Sequence, residues 1–380
     1  MPVTLKPLSQ QSIVITGASS GIGLATARMA ALQGAAVLLV ARDEPSLQKA
    51  VEEIRAAGGR ADYAVADVGD QAAVEAAAAK AEEVFGGFDS WVNDAGVSVY
   101  GHMADMPVED HRRLFETNYF GVVHGSLAAA KRLRERGGAI INVGSVLSDR
   151  AMIWQGAYSA SKFAVRGFTD ALRMELEAEG APISVTLIKP AGIDTPFQEH
   201  ARNRLDEPGT KVPFPAYDPQ LVARAICFAC ANPRRDLVIG FGGAAIALAG
   251  SIAPRLTDFV MEAIGKVTQT TNEPGRAEMR DNLYEGRPGG TAHSSLSGKP
   301  HRRTSLLLEA QMNPLATTVI VAGLSALAIG AAASRRMGHG RVVTRPMHHR
   351  LLPRDVARTA DRALNEVRHV GQDIARQFRR

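Results

Sequence analysis

The chain has only two cysteines among its 380 residues, which excludes a disulfide-stapled extracellular scaffold. Both lie in one C-x-x-C, Cys227 and Cys230, inside the apolar helix-like run LVARAICFAC. A structural zinc needs a second pair of ligands, so the two read as buried thiols in a reducing compartment, and no metal site is expected. Aromatic residues make up 5% of the chain. That scarcity leaves no stacking platform for nucleic acid, and no nucleic-acid partner is expected. The opening MPVTLKPLSQQ lacks the apolar run of a secretory leader, which implies that the main body stays in the cytoplasm.

Charge is unevenly placed. The whole chain carries a net +5. Residues 334–380 hold 12 arginines against four acidic residues, a net +8, so the preceding 333 residues carry a net −3. Only the tail is basic.

From about residue 12 to 240, short apolar runs alternate with helix-length stretches rich in Ala, Leu, Glu and Arg. The predicted strands are Ile13–Thr16, Ala36–Val40, Asp62–Ala66, Ser90–Asn93, Ala139–Val143, Ile183–Ile188 and Leu237–Ile239. Their apolar runs show no polar alternation, which predicts a sheet buried on both faces. The expected fold is α/β and doubly wound: a mostly parallel seven-stranded sheet with helices on both faces. Residues 1–268 form this domain. Residues 269–312, rich in Gly, Pro, Ser and Thr without an apolar period, read as a flexible linker. Residues 313–335 contain Leu315–Ala333, 19 uncharged residues. As a helix of about 28 Å, that run would come near the thickness of a bilayer core. Residues 336–380 form a basic tail ending in an amphipathic helix.

The first strand runs into Thr16-Gly17-Ala18-Ser19-Ser20-Gly21-Ile22-Gly23. Glycines there let backbone approach a pyrophosphate, and the helix that follows offers free N–H groups at its positive end. Gly17, Ser19, Ser20, Gly21, Ile22 and Gly23 are therefore candidate dinucleotide contacts. The second strand ends at Ala41-Arg42, where an Asp would accept bonds from a ribose 2′-hydroxyl. A guanidinium at Arg42 instead suits a 2′-phosphate, favouring NADP(H) over NAD(H). Asp67 and Val68, at the end of the third strand, are placed to touch an adenine edge.

Ser145 ends the strand AIINVGS, and Tyr158 and Lys162 follow at i and i+4 on one helix face. A phenol is a poor base at neutral pH. A neighbouring ammonium stabilises the phenolate and lowers that barrier. Ser145 then hydrogen-bonds a substrate oxygen while Tyr158 passes the proton.

Thr16–Gly23, Asn93-Asp94-Ala95-Gly96, Asn118, Ser145, Tyr158/Lys162 and Pro190–Thr195 follow one another in an order and spacing that resembles the short-chain dehydrogenase/reductase family, over about residues 8–240. The resemblance implies a Rossmann-like fold and a catalytic set of Asn118, Ser145, Tyr158 and Lys162. In that scheme Lys162 also binds the nicotinamide ribose, and Asn118 extends a proton relay. It further implies cofactor contacts from Asn93, Gly96, Pro190, Ile193 and Thr195, and pairing into a homodimer or homotetramer. Two positions depart from the family pattern. Asp94 replaces the second Asn of N-N-A-G, at a position expected to brace the sheet. Pro190-Ala191-Gly192 shifts a glycine by one, in the loop that carries Thr195.

The stretch between Thr195 and Pro219 offers Phe197, Val212, Phe214 and Tyr217 as an apolar pocket roof, which suits a hydrophobic alcohol or carbonyl substrate. The apolar run at 315–333, a second apolar stretch at 241–253 and the basic tail point to membrane association, either spanning or at the interface. The alternative is a nucleotide-sensing or membrane-tethered binding protein with little catalysis. The intact set of four catalytic positions argues against it.

Overall fold

The computed structural model describes residues 3–213, 215–272, 280–296, 301–315 and 317–318. Seven strands form the main sheet: β1 (Ser12–Thr16), β2 (Ala36–Ala41), β3 (Arg60–Val65), β4 (Ser90–Asn93), β5 (Gly138–Val143), β6 (Ile183–Pro190) and β7 (Asp236–Ile239). Their order is β7-β6-β5-β4-β1-β2-β3, and every neighbouring pair is parallel. All seven predicted strands are present, most of them longer by one or two residues. The apolar runs are the reason: β2 and β5 are buried at every position, as a sheet covered on both faces requires.

The helices between strands are α1 (Gly21–Leu32), α2 (Glu44–Ala56), α3 (Gln71–Phe85), α4 (Val108–Phe115), α5 (Gly121–Leu133), α6 (Gly156–Ala178) and α7 (Pro219–Ala231). Helix α1 packs against α7, and α3 against α5. The small residues that crowd these helices allow the close approach: Ala25, Ala27 and Ala30 of α1, and Ala223 and Ala225 of α7, are all fully buried. Between α4 and α5 the chain widens into one π-helical turn, Glu116–Phe120. Such turns interrupt the regular hydrogen-bond ladder and gather at functional sites. Cys227 and Cys230 are free and buried in α7, and burial pushes the Cys230 thiol up to about 12. They are core thiols, as the sequence predicts.

Beyond β7 come α8 (Phe241–Ile252), α9 (Pro254–Gln269) and α10 (Leu306–Met312). Helices α8 and α9 pack against each other, and α8 touches the turn after β5. Described residues of 269–312, the stretch expected to be a linker, make contacts with the domain. The chain's first compact unit runs Met1–Glu309. Thr270–Thr271 pair with Gly209–Thr210 as a small antiparallel ladder. Leu283 and Leu308 are fully buried. Main-chain hydrogen bonds and isolated apolar anchors dock this segment, and neither leaves a periodic signal in sequence. Among the described residues no helix is long and apolar enough to cross a membrane. Most of the apolar run at 315–333, and the whole basic tail 336–380, lie outside the described residues.

Candidate active site

A cavity of about 360 Å³ opens where β1 and β4 lie side by side at the C-terminal edge of the sheet. This is the switch point at which doubly wound sheets bind their ligands. Gly17 and Gly21 take left-handed backbone angles, φ +71° and +56°. A side chain on Gly17 would meet the Ala95 backbone at 2.9 Å, and one on Gly23 would meet the Gly17 carbonyl at 2.4 Å. The turn therefore closes only with glycine at these positions, and it delivers Ser19, Ser20, Gly21 and Ile22 to the cavity wall. Gly23 shapes that turn from behind rather than lining the cavity.

At the next strand end, Arg42 and Asp67 line the cavity and approach each other to 3.8 Å. Burial alone would raise the Asp67 carboxyl. The Gly69 N–H and the Arg113 guanidinium outweigh it and hold Asp67 below the usual carboxylate range. Val68 completes this end.

The other end holds Ser145, Tyr158 and Lys162. Lys162, on α6, donates from Nζ to the Val143 carbonyl at 2.8 Å and stands 5.7 Å from the centre of the Tyr158 ring. Burial lowers the Lys162 ammonium to about 8, with the Asp94 carboxylate opposing that shift. Burial likewise pushes the Tyr158 phenol up to about 12, eased by a hydrogen bond with the Ser145 hydroxyl. Tyr158 packs edge-on against Phe197, ring centres 5.6 Å apart.

Besides Gly23, two further predicted site residues do not line the cavity. Asn93 does not reach the cavity. It accepts from Trp91 Nε1 at 2.7 Å and donates to Asn142 at 2.8 Å and Ser126 at 3.1 Å, so its whole amide is spent joining β4 to its neighbours. The bracing role thus belongs to Asn93, while Asp94 faces the cavity. There burial raises the Asp94 carboxyl to about 8, against the pull of the Lys162 charge and the Gly23 N–H. Asn118 lies one layer behind the surface. Its side chain accepts from the Val97 N–H at 2.8 Å and donates to the Val97 carbonyl at 2.9 Å and to Ser161 at 3.1 Å. It fixes the Val97 backbone and ties it to α6 through Ser161. Gly96, Pro190, Ile193 and Thr195 all line the cavity, with Thr195 against Gly21.

The predicted roof is partly as expected. Phe197 and Tyr217 line the cavity, Val212 packs against Gly192 instead, and Phe214 lies outside the described residues. The sequence reading missed two walls. One comes from α8 and α9 through Gly242, Gly243, Ile246 and Met261. The other is residues 282–291, which cross the cofactor end. Arg42 donates to the carbonyls of Asn282 at 2.5 Å and Tyr284 at 3.3 Å. Gly290 N–H donates to Ser19 at 2.7 Å, and Arg287 enters the cavity wall. A second glycine cluster marks this strap in the sequence. A side chain on Gly289 would meet the Ser19 carbonyl at 2.6 Å, and one on Gly286 would press on Arg42 at 3.0 Å.

The short chain dehydrogenase family model matches residues 11–206. The chain belongs to that family. It is 45% identical over 327 residues to the uncharacterized oxidoreductase YxnA of Bacillus subtilis, covering 85% of this chain and 91% of that one. It is 38% identical over 200 residues to the short-chain reductase protein NovJ of Streptomyces niveus, covering 52% of this chain and 75% of that one. The solved structure of an alcohol dehydrogenase from Thermococcus sibiricus, complexed with 5-hydroxy-NADP, superposes with a TM-score of 0.54 at 27% identity. That match covers 60% of this chain and 95% of the other. As a short-chain dehydrogenase, the protein is an oxidoreductase whose fold binds a nicotinamide cofactor.

Proposed function

We propose that this protein interconverts an alcohol and a carbonyl on a hydrophobic substrate with NADP(H), with Tyr158 as the general acid and base. One observation carries the reading: Ser145, Tyr158 and Lys162 share a cavity with the glycine turn at Gly17–Ile22. The glycine turn fits a dinucleotide: it closes only with glycine at Gly17 and Gly23, and it then presents Ser19–Ile22 to the cavity. When bound, the nicotinamide supplies or accepts the hydride. Ser19–Ile22 hold the pyrophosphate, Lys162 the nicotinamide ribose, and Ile193 and Thr195 the nicotinamide end. Arg42 and Arg287 supply positive charge where a 2′-phosphate would sit, which supports NADP(H) over NAD(H).

Ser145 fixes the substrate oxygen and the Tyr158 hydroxyl together. With its phenol raised by burial, Tyr158 keeps its proton at neutral pH and stands ready as the acid for carbonyl reduction. The Lys162 ammonium, held on the Val143 carbonyl, stabilises the phenolate left behind. Met152, Leu147, Ile246, Met261 and Phe197 line the substrate end, which favours an apolar substrate.

Two surfaces extend the reading. Exposed Phe120 and Leu127 near and on α5, with Phe163 and Met174 on α6, support pairing with a second copy. Helix α8 buries none of its residues. Phe241, Leu248 and Ile252 on α8, with Leu256, Phe259 and Val267 on α9, are exposed together. This apolar face, in a chain whose sequence also carries a basic tail, suits a lipid surface.

The test is a panel of apolar ketones, aldehydes and alcohols followed by nicotinamide absorbance. Turnover with NADP(H) is the expected result. Tight NADPH binding with no turnover on any of them would favour a sensor instead. Co-flotation with anionic vesicles, lost in Phe241→Asp/Ile252→Asp, tests the lipid contact. A full-length protein that stays off the vesicles sinks that part.

A further inference from the structure

Behind the cavity wall, four side chains from three separate stretches of chain converge. Ile193, Tyr217 and Arg302 are linked side by side by parallel bridges. Asp194 N–H donates to the Tyr217 carbonyl at 2.9 Å, and Asp218 N–H to the Arg302 carbonyl at 3.0 Å. This backbone arrangement brings Asp194, Asp218 and His301 together, and His293 approaches from the strap.

Asp194 is 1% exposed, and neither of its carboxylate oxygens is engaged in a hydrogen bond. A buried carboxylate left so carries a large desolvation cost. Its Oδ2 lies 3.2 Å from His301 Nδ1. Ligand atoms of Asp194, His293 and His301 all fall within 4.8 Å of one another. Four-coordinate zinc, with bonds of about 2.0–2.1 Å, sets neighbouring ligand atoms roughly 3.3 Å apart. The Asp194–His301 spacing already matches.

Asp218 supplies the orientation. Its Oδ2 lies 3.1 Å from His301 Nε2 and its Oδ1 3.4 Å from His293 Nε2. It is itself pinned as the cap of α7, accepting from the Gln220 N–H at 2.8 Å. A carboxylate on the far nitrogen of an imidazole fixes the tautomer and turns the other nitrogen outward as a ligand. For His301 that outward nitrogen is Nδ1, the one facing Asp194.

We infer that Asp194, His293 and His301 bind a divalent transition metal of the zinc class, with Asp218 as the positioning carboxylate. Two imidazoles and one carboxylate suit zinc or cobalt over calcium or magnesium, which prefer all-oxygen shells. None of the four residues lines the cavity, so the metal is structural. It fastens the strap, through His293 and His301, to the loop that presents Ile193 and Thr195. The sequence expectation of no metal rests on the lone C-x-x-C, and these ligands, at 194, 293 and 301, follow no spacing motif that would correct it.

The test is zinc uptake by the full-length, tag-free chain after chelator treatment, read by elemental analysis and by the visible spectrum of the cobalt form. The wild type should retain one zinc more per chain than His293→Ala or His301→Gln, and zinc should raise the melting temperature of the wild type alone. Asp218→Asn keeps the helix cap and should bind zinc about 10–100-fold more weakly. Because His293 is half-exposed, its variant should fold with an unchanged circular dichroism spectrum. Equal uptake by the wild type and both His variants would overturn the site. So would uptake lost only in His348→Ala/His349→Ala, or no uptake at all. In the last case Asp194, His301 and Asp218 form a metal-free carboxylate–imidazole cluster. The readouts are independent of turnover, so the site stands or falls apart from the proposed reaction.

Discussion

Gly21, the first residue of α1, donates its N–H to the Thr291 carbonyl at 2.9 Å. The helix end that would receive a pyrophosphate is thus held by a stretch of chain far downstream. Arg42 is held by the same stretch through Asn282 and Tyr284. The strap is a wall of the cavity, next to the glycine turn.

Under the proposed function, Arg42 sets the cofactor preference. Arg42→Ala removes one charge-assisted contact to a 2′-phosphate, a loss of about 2 kcal/mol, or roughly thirtyfold in NADPH affinity. NADH affinity should fall less, because NADH has no 2′-phosphate and loses only the strap bonds that Arg42 makes to Asn282 and Tyr284. Fluorescence titration of both nucleotides checks this, and a parallel loss for both would refute the assignment.

In the proposed reaction, Tyr158 passes the proton. Tyr158→Phe keeps the ring against Phe197 but removes the hydroxyl, and kcat should fall by about 10²–10⁴. NADPH affinity should hold, since the glycine turn and Lys162 are untouched. Wild-type rates in this variant would show that another group supplies the proton.

The sheet was legible because its strands are continuous apolar runs, and Tyr158, Lys162 and Ser145 because each is tied to a strand end or a helix face. Asn93 and Asp94 show where that legibility stops. Alternation decides which of two neighbours points into the sheet and which into the cavity, and a four-residue strand leaves that phase ambiguous. The strap was invisible for another reason. It docks through main-chain bonds and single anchors such as Leu283, and composition rich in Gly, Pro and Ser reads the same whether docked or free.

Asp94 bears on pH dependence. Its carboxylate opposes the burial that lowers Lys162 to about 8, and it also raises Tyr158. Asp94→Asn removes both effects, so Lys162 loses its proton, and Tyr158 ionises, at lower pH than in the wild type. The alkaline limb of the kcat profile for carbonyl reduction should move down, leaving the variant about tenfold slower near pH 9, the factor that one pKa unit represents. An unmoved limb would mean that Asp94 has no electrostatic hold on the pair.

Leu283 anchors the strap. It is fully buried with Val97, Val99, Met106, Leu114 and Ala157, a cluster that Tyr158 also touches. Leu283→Ala should cost about 2–5 kcal/mol of local packing. That loss falls on the docking of residues 280–296 more than on the sheet, whose core does not include Leu283. NADPH should then dissociate about tenfold faster by stopped-flow, because even about 1.4 kcal/mol of lost wall contact corresponds to that factor. The main unfolding transition should shift little. A variant that loses the whole fold at once would make Leu283 part of the global core. One that folds and holds NADPH as long as the wild type would show that the strap does not retain the cofactor.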